Sequence, residues 1–285
     1  MRKITITGIV FVVGILAFVS IGMMYPEVTY ETSVHVSRSR ATAFSVMMDI
    51  DQMGEWMQNF VSAETLVEHD DFVGNRYRFE FEEDGEMLVL EEEIVLYVES
   101  QVVGFHLTHE IMDIDIQISF IETTGGTTIA AKNTVRATNF VVRSLLPLMK
   151  GSMASDQTEQ YRRLAALVED SPTSIVGEWT GKSGMGNEQL FTFRGNGTMD
   201  WFVDAGGNQF SLEGMYYERD ATQSPQTLDL MGFKSGPLTD RTLFGIIEFI
   251  GEDSLRFDAE AGAIGDSSVR PSIFTESTTL YTRIN

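Results

Sequence analysis

The segment from Arg76 to Glu93 constrains the fold most, because its pattern fixes how two strands pair. Asp84-Gly85 lies between two runs of alternating apolar and polar residues, and Asp-Gly favours a two-residue type I′ turn. The pairs predicted on one face are Phe81 with Leu88, Phe79 with Leu90, and Tyr77 with Glu92; those on the other are Arg78 with Glu91, and Arg76 with Glu93. A slip of one residue would destroy both the apolar and the charged pairs. The sequence therefore predicts a hairpin of one register.

Glu92 is the polar residue that interrupts the apolar face of this hairpin. Its side chain belongs either to a strand end that reaches water or to the polar end of a pocket, and the local pattern leaves both alternatives open.

The composition excludes several classes of function. The chain has 285 residues with 42 acidic and 20 basic side chains, a formal net charge of −22. Its field repels phosphate backbones, so nucleic acid is not an expected partner. Because it has no cysteine, disulfides, thiolate metal sites and lipoprotein acylation are excluded. No metal and no cofactor is expected.

The N-terminal segment, residues 1–25, is predicted to be a membrane anchor or a long signal peptide. Arg2-Lys3 precede the apolar run 4–24, which as a helix spans roughly the 30 Å core of a bilayer. Signal-peptide cores are usually shorter, at about 7–15 residues, which favours an uncleaved anchor. The basic pair predicts a cytoplasmic N-terminus and soluble domains on the extracytoplasmic side, the periplasmic face of a bacterial envelope.

Residues 27–170 are predicted to form an α+β domain. One strand is followed by two short helices, six strands and a helical region that Pro147 and Gly151 interrupt. This order resembles the helix-grip fold of the SRPBCC superfamily, which includes START-like and polyketide cyclase/dehydrase-like proteins. The most specific stretch is Val36 to Trp56, VSRSRATAFSVMMDIDQMGEW. The resemblance implies a seven-stranded antiparallel sheet around a long C-terminal helix, enclosing an apolar cavity for lipids or other hydrophobic molecules.

The predicted ligand-binding residues are the few polar or aromatic members of this cavity. Extending the strand pairing through a turn at Ser100-Gln101 places His109 opposite Glu92. The candidate residues are Tyr77, Glu92, His109, Asn133 and Trp56. Apolar walls with a few polar groups are typical of small-molecule sites. The leading hypothesis has no catalytic residue; a first alternative is a cyclase or dehydratase that uses Glu92 and His109 as acid and base.

Residues 171–175 are predicted to be a linker, and residues 176–285 an all-β domain. Eight short strands with glycine-rich turns indicate a closed barrel or a sandwich. Gly177-Glu178-Trp179 in the first strand and Arg283 in the last resemble a lipocalin-type barrel, in which the tryptophan packs beneath the arginine. The leading hypothesis is thus a membrane-anchored protein that binds a hydrophobic small molecule or lipid. A second alternative is a structural or interaction module.

Overall fold

The computed structural model describes residues 18, 20–83 and 85–284. The chain divides into two compact units between Asp170 and Ser171. Most of the predicted anchor, residues 1–25, and Asp84 of the predicted turn lie outside the described residues. Residues 20–24 are helical. Within the described part of the chain, no helix has the length and the apolarity that a membrane crossing requires.

Among its described residues from Glu27 onward, the first unit contains seven strands and three α-helices. The strands are β1 (Glu27–Val36), β2 (Phe60–Val67), β3 (Arg76–Glu83), β4 (Glu86–Val98), β5 (Val102–His109), β6 (Met112–Thr123) and β7 (Gly126–Ala137). The helices are α1 (Arg40–Met48), α2 (Met53–Trp56) and α3 (Phe140–Asp170). The strands form one antiparallel sheet in the order β1-β7-β6-β5-β4-β3-β2. The predicted helix-grip architecture is confirmed.

The long helix α3 is continuous, although the sequence predicts an interruption at Pro147 and Gly151. A proline inside a helix removes one backbone hydrogen bond and costs about 3 kcal/mol. Tertiary packing offsets this cost, because α3 buries Leu146 in its first half and Leu164 and Val168 in its second. The latter two join Ile94, Phe105 and Ile129 of the sheet in one core. We call the face of the sheet that carries this core the inner face.

The β3–β4 hairpin has the predicted register. Tyr77 pairs with Glu92, Phe79 with Leu90 and Phe81 with Leu88. Gly85 adopts a positive φ of 84°, which the second residue of a type I′ turn requires. On the outer face, Glu91 accepts hydrogen bonds from Arg76 at 2.9 Å and Arg78 at 3.3 Å.

The predicted pairing of Glu92 with His109 is wrong. The register of β4 against β5 shifts between Ile94 and Leu96, so Glu92 pairs with Leu107. His109 instead pairs with Met112 at the turn into β6, and its Nδ1 accepts a hydrogen bond from the Ile111 amide at 3.4 Å. Two displacements of one residue combine: the turn sets Val98 opposite Val102 where the count expects Val103, and a bulge between Ile94 and Leu96 adds the second.

The second unit contains eight strands. They are β8 (Gly177–Lys182), β9 (Glu188–Phe193), β10 (Thr198–Ala205), β11 (Asn208–Asp220), β12 (Gln226–Met231), β13 (Arg241–Phe249), β14 (Ser254–Ala263) and β15 (Thr279–Ile284). They close into an antiparallel barrel in the order β10-β11-β12-β13-β14-β15-β8-β9. The prediction of an eight-stranded barrel is confirmed. Inside it, the Phe191 ring lies 5.0 Å from the Tyr281 ring and 5.3 Å from the Trp201 ring, centroid to centroid.

The first and last strands of the barrel meet as the sequence predicts. Trp179 pairs with Arg283, and the Arg283 guanidinium lies 4.2 Å from the centroid of the indole ring. Arg283 also donates hydrogen bonds to the carbonyls of Ser174 at 2.7 Å, Val176 at 2.5 Å and Glu252 at 3.2 Å. The indole Nε1 of Trp179 donates to the carbonyl of Ile175 at 2.7 Å. Both side chains are therefore held by the barrel itself.

Candidate functional site

Glu92 is the central residue of the candidate site. It lies on the inner face of β4, two residues before Ile94, and its cross-strand neighbours are Tyr77 and Leu107. Ile94 is buried in the core of the first unit, and Tyr77 and Leu107 pack against that core. The Glu92 side chain is itself buried. Within the described residues, no hydrogen bond and no ion pair reaches its carboxyl group.

This burial determines the protonation state of Glu92. An ionised carboxylate loses its hydration in an apolar core, which disfavours the charged form. Burial accordingly raises the pKa of Glu92 to about 8. At neutral pH the group is predominantly a neutral carboxylic acid, which has one hydroxyl donor and one carbonyl acceptor available.

Tyr77 faces Glu92 across the hairpin and is held in place by its neighbours. Its hydroxyl accepts a hydrogen bond from the side-chain amide of Asn75 at 3.2 Å. Its ring stacks on that of Phe79, with the ring centroids 6.1 Å apart. Burial raises the pKa of Tyr77, and negative charge on Glu92 contributes to the rise. Tyr77 thus presents a fixed, neutral phenol beside the carboxyl group.

Trp56 supplies a second polar group without a partner. It lies in α2, is buried, and meets Tyr161 of α3 edge to face with the ring centroids 6.5 Å apart. Its indole Nε1 is buried and has no hydrogen-bond partner in the described part of the chain. A buried donor without a partner costs free energy, and a bound molecule with an acceptor atom would remove that cost.

Asn133 differs from these residues because both polar atoms of its side chain have hydrogen-bond partners. It exchanges two hydrogen bonds with the side-chain amide of Gln157 on α3, at 2.7 and 2.9 Å. Thr32 on β1 donates to the same Gln157 oxygen at 2.7 Å. This amide pair joins the helix to the sheet, so Asn133 has a structural role.

Sequence reasoning did not identify Gln157 or Tyr161. A signal was present, since Gln157, Tyr161, Leu164 and Val168 follow one another at intervals of four, three and four residues. That spacing places them on one face of a helix. Following the apolar positions Leu164 and Val168 back by two helical turns would have found both residues.

His109 is not brought to Glu92. His109 is the last residue of β5, at the turn into β6, and lies two residues beyond Leu107, the partner of Glu92. His106, on the other face of β5, approaches Asp115 with 2.7 Å between Nδ1 and the carboxylate oxygen. The inner face therefore carries one neutral acid and one fixed phenol among apolar side chains, and α2 contributes a buried indole N–H to the same core.

A family described as polyketide cyclase/dehydrase and lipid transport matches residues 27–169, half of the chain. The chain belongs to this family. Membership covers the helix-grip unit, which contains Glu92, Trp56 and Tyr77. The family description includes both enzymes and lipid carriers, so it is compatible with binding and with catalysis.

Solved structures also match about half of the chain. A START superfamily protein from Mycobacterium smegmatis is 17% identical, with 50% of this chain and 97% of the other covered and a TM-score of 0.43. The Zhui aromatase/cyclase from a Streptomyces species is 10% identical, with 50% and 94% covered and a TM-score of 0.44. No curated protein matches the sequence.

Proposed function

We propose that the helix-grip unit binds a mostly apolar small molecule or lipid, whose polar end contacts Glu92. The observation that carries this proposal is a buried carboxyl group without a partner on an apolar face. Buried polar groups in folded proteins are almost always hydrogen-bonded, so an exception calls for an explanation. A ligand that pairs with the carboxyl group is such an explanation.

The geometry favours a ligand with a neutral polar end that both accepts and donates hydrogen bonds. The neutral Glu92 offers a hydroxyl donor and a carbonyl acceptor, and Trp56 offers an indole donor. Alcohol, ester and amide groups fit these partners. A ligand carboxylate does not, because its own negative charge would lose its hydration in an apolar site.

The position of His109 favours binding over catalysis. A cyclase or dehydratase mechanism on Glu92 and His109 requires the two side chains to share one proton-transfer site. The β4 bulge separates their positions along the strand pair. Glu92 alone supplies one acid, which is sufficient to orient a ligand but leaves the proposed acid/base pair incomplete.

We further propose that residues 4–24 anchor the protein in a membrane, with both units on the extracytoplasmic side. The support is the apolar run after Arg2-Lys3, whose length matches a bilayer core. A binding domain attached to a bilayer has direct access to lipids as ligands.

Extraction of the purified full-length protein, followed by mass spectrometry, tests the binding proposal. We expect a co-purifying hydrophobic molecule in near-stoichiometric amount. Glu92→Leu, which removes the hydrogen-bonding group, should reduce affinity for it about fivefold, because one hydrogen bond contributes about 1 kcal/mol. Glu92→Gln keeps a neutral donor and acceptor and should retain most of the ligand.

Glu91→Leu is the matched control, since Glu91 is adjacent but lies on the outer face with Arg76 and Arg78. It should leave the bound amount unchanged. Equal occupancy in the native protein and in correctly folded Glu92→Leu would refute the role of Glu92.

A further inference from the structure

The first half of α3 carries an exposed apolar stripe. Val141, Leu145, Leu148 and Met149 follow one another at intervals of four, three and one residues, which places them on one side of the helix. Val141 is 60% and Leu148 71% exposed, whereas Leu146 on the same helix is buried. We call these four residues the α3 stripe. Apolar side chains grouped in this way indicate a surface that contacts an apolar partner.

The charge around the α3 stripe differs from that of the whole chain. The chain has 42 acidic residues among 285, but residues 140–155 of α3 have none and include Arg143 and Lys150. Lys150 is exposed, next to Met149. At about 100° per residue, Arg143 and Lys150 lie on the other side of the helix, but a stripe without acidic neighbours is not repelled by a bilayer surface that contains anionic headgroups.

The location of the stripe points to the same partner. Gly22 lies in the helical residues 20–24, at the end of the apolar run, and packs directly against the first turns of α3. A Cβ added at Gly22 would collide with the Ser144 hydroxyl and lie 3.2 Å from the Phe140 ring. Met23 and Met24, which follow, are largely exposed. The start of α3 is therefore attached to the end of the segment proposed to enter the membrane.

We infer that the α3 stripe is a membrane-contact surface, which lies in the bilayer interface beside the anchor. The inference rests on the proposed function, because it takes residues 4–24 to be in the bilayer. Insertion of the four side chains to a depth of roughly 5–10 Å would remove them from water. The first half of α3, which also packs on the sheet, would then hold the helix-grip unit at the lipid surface from which its ligand comes.

Spin labelling of the full-length protein in nanodiscs tests this inference, and the absence of native cysteines makes every label specific. Leu148→Cys carries the label in the stripe; Arg162→Cys, on the same helix with a side chain 69% exposed, is the control. The two positions are about 21 Å apart along the helix axis. In a phosphatidylcholine and phosphatidylglycerol bilayer, we expect the ratio of oxygen to nickel-chelate accessibility to be several-fold higher at position 148 than at 162.

Two other outcomes overturn the inference. Equal ratios at both positions mean that the stripe faces water. A label at position 148 that is inaccessible to both reagents means that protein covers the stripe, either the N-terminal segment or a second copy of the chain. In both cases, incorporation of the full-length protein into the nanodiscs would still support the anchor, and ligand loss in Glu92→Leu with retention in Glu91→Leu would still support binding, so these failures are distinguishable from failure of the inference.

Discussion

Glu92 of the helix-grip unit and Arg283 of the barrel are both titratable side chains that are largely removed from water, and the two units treat them in opposite ways. Arg283 of the barrel donates to three carbonyl oxygens and lies over the Trp179 ring. Although burial lowers its pKa to about 10, it stays protonated at neutral pH. Glu92 of the helix-grip unit has no partner among the described residues, and it gives up its charge instead. A buried group with all its partners inside the chain serves stability, whereas one without them is available to a ligand.

The largest effect expected from this contrast is on the free energy of unfolding, which should depend on pH because of Glu92 and not because of Arg283. The pKa of Glu92 is about 8 in the folded chain and 4.5 in the absence of burial, so between these values the folded state binds a proton that the unfolded state has released. The free energy of unfolding therefore falls as pH rises through this window, by on the order of 5 kcal/mol in total, because each unit of pKa difference corresponds to about 1.4 kcal/mol. Below about pH 4.5, where Glu92 is protonated in both states, its contribution to the free energy of unfolding is fully present.

Hydrogen exchange of β4 peptides in native protein and in Glu92→Gln, compared at each pH from about 5 to about 8, measures this effect. In Glu92→Gln, the fall in the free energy of unfolding with rising pH that is due to Glu92 should disappear. In Glu91→Gln, that fall should be the same as in the native protein. Parallel slopes in native protein and Glu92→Gln would show that Glu92 ionises normally.

A smaller effect is expected when the partnered charge is removed from the barrel. Arg283→Ala leaves the carbonyl groups of Ser174, Val176 and Glu252 without their donor and exposes the Trp179 ring. We expect a loss of about 3 kcal/mol in the free energy of unfolding of the barrel, since buried unsatisfied acceptors are costly. Urea unfolding followed by exchange of barrel peptides measures it.

Arg241→Ala is the control for this experiment, because Arg241 is exposed and makes one long hydrogen bond, at 3.4 Å to the Ala261 carbonyl. It should cost less than about 0.5 kcal/mol. Similar losses in the two variants would mean that the contacts of Arg283 do not stabilise the barrel.

The smallest of these effects sharpens the comparison within the helix-grip unit, where Asn133 behaves like Arg283 and unlike Glu92. Asn133→Ala breaks the reciprocal pair with Gln157 and should cost about 2 kcal/mol. In a double-mutant cycle with Gln157→Ala, the two losses should fall short of additivity by about 1 kcal/mol or more. Additive losses would contradict the structural role of the pair, and so would loss of ligand from a folded Asn133→Ala protein.

Much of the fold follows from local pattern. The Asp84-Gly85 turn and the alternation around it determine the β3–β4 register, and the structure has the same pairs. In the barrel, turn residues at short intervals predict eight strands, and Trp179 and Arg283 at its two ends are correctly expected to meet. The turns and the strand alternation are encoded within a few residues of where they act, whereas the contact of Trp179 with Arg283 joins distant parts of the chain and is expected from the resemblance to lipocalin-type barrels.

The tertiary structure alone decided which polar groups of the candidate site have partners. Counting through a two-residue Ser100-Gln101 turn gives Glu92 a histidine neighbour, but the turn that forms and the bulge in β4 each shift the register by one residue and give it Leu107. Asn133 finds Gln157 on a helix 24 residues away, which strand alternation does not encode. The sequence by itself thus placed an acid on an apolar face. Its isolation depends on packing between distant segments, because a hydrogen-bond partner is set by distance in space and a periodic pattern specifies only the face.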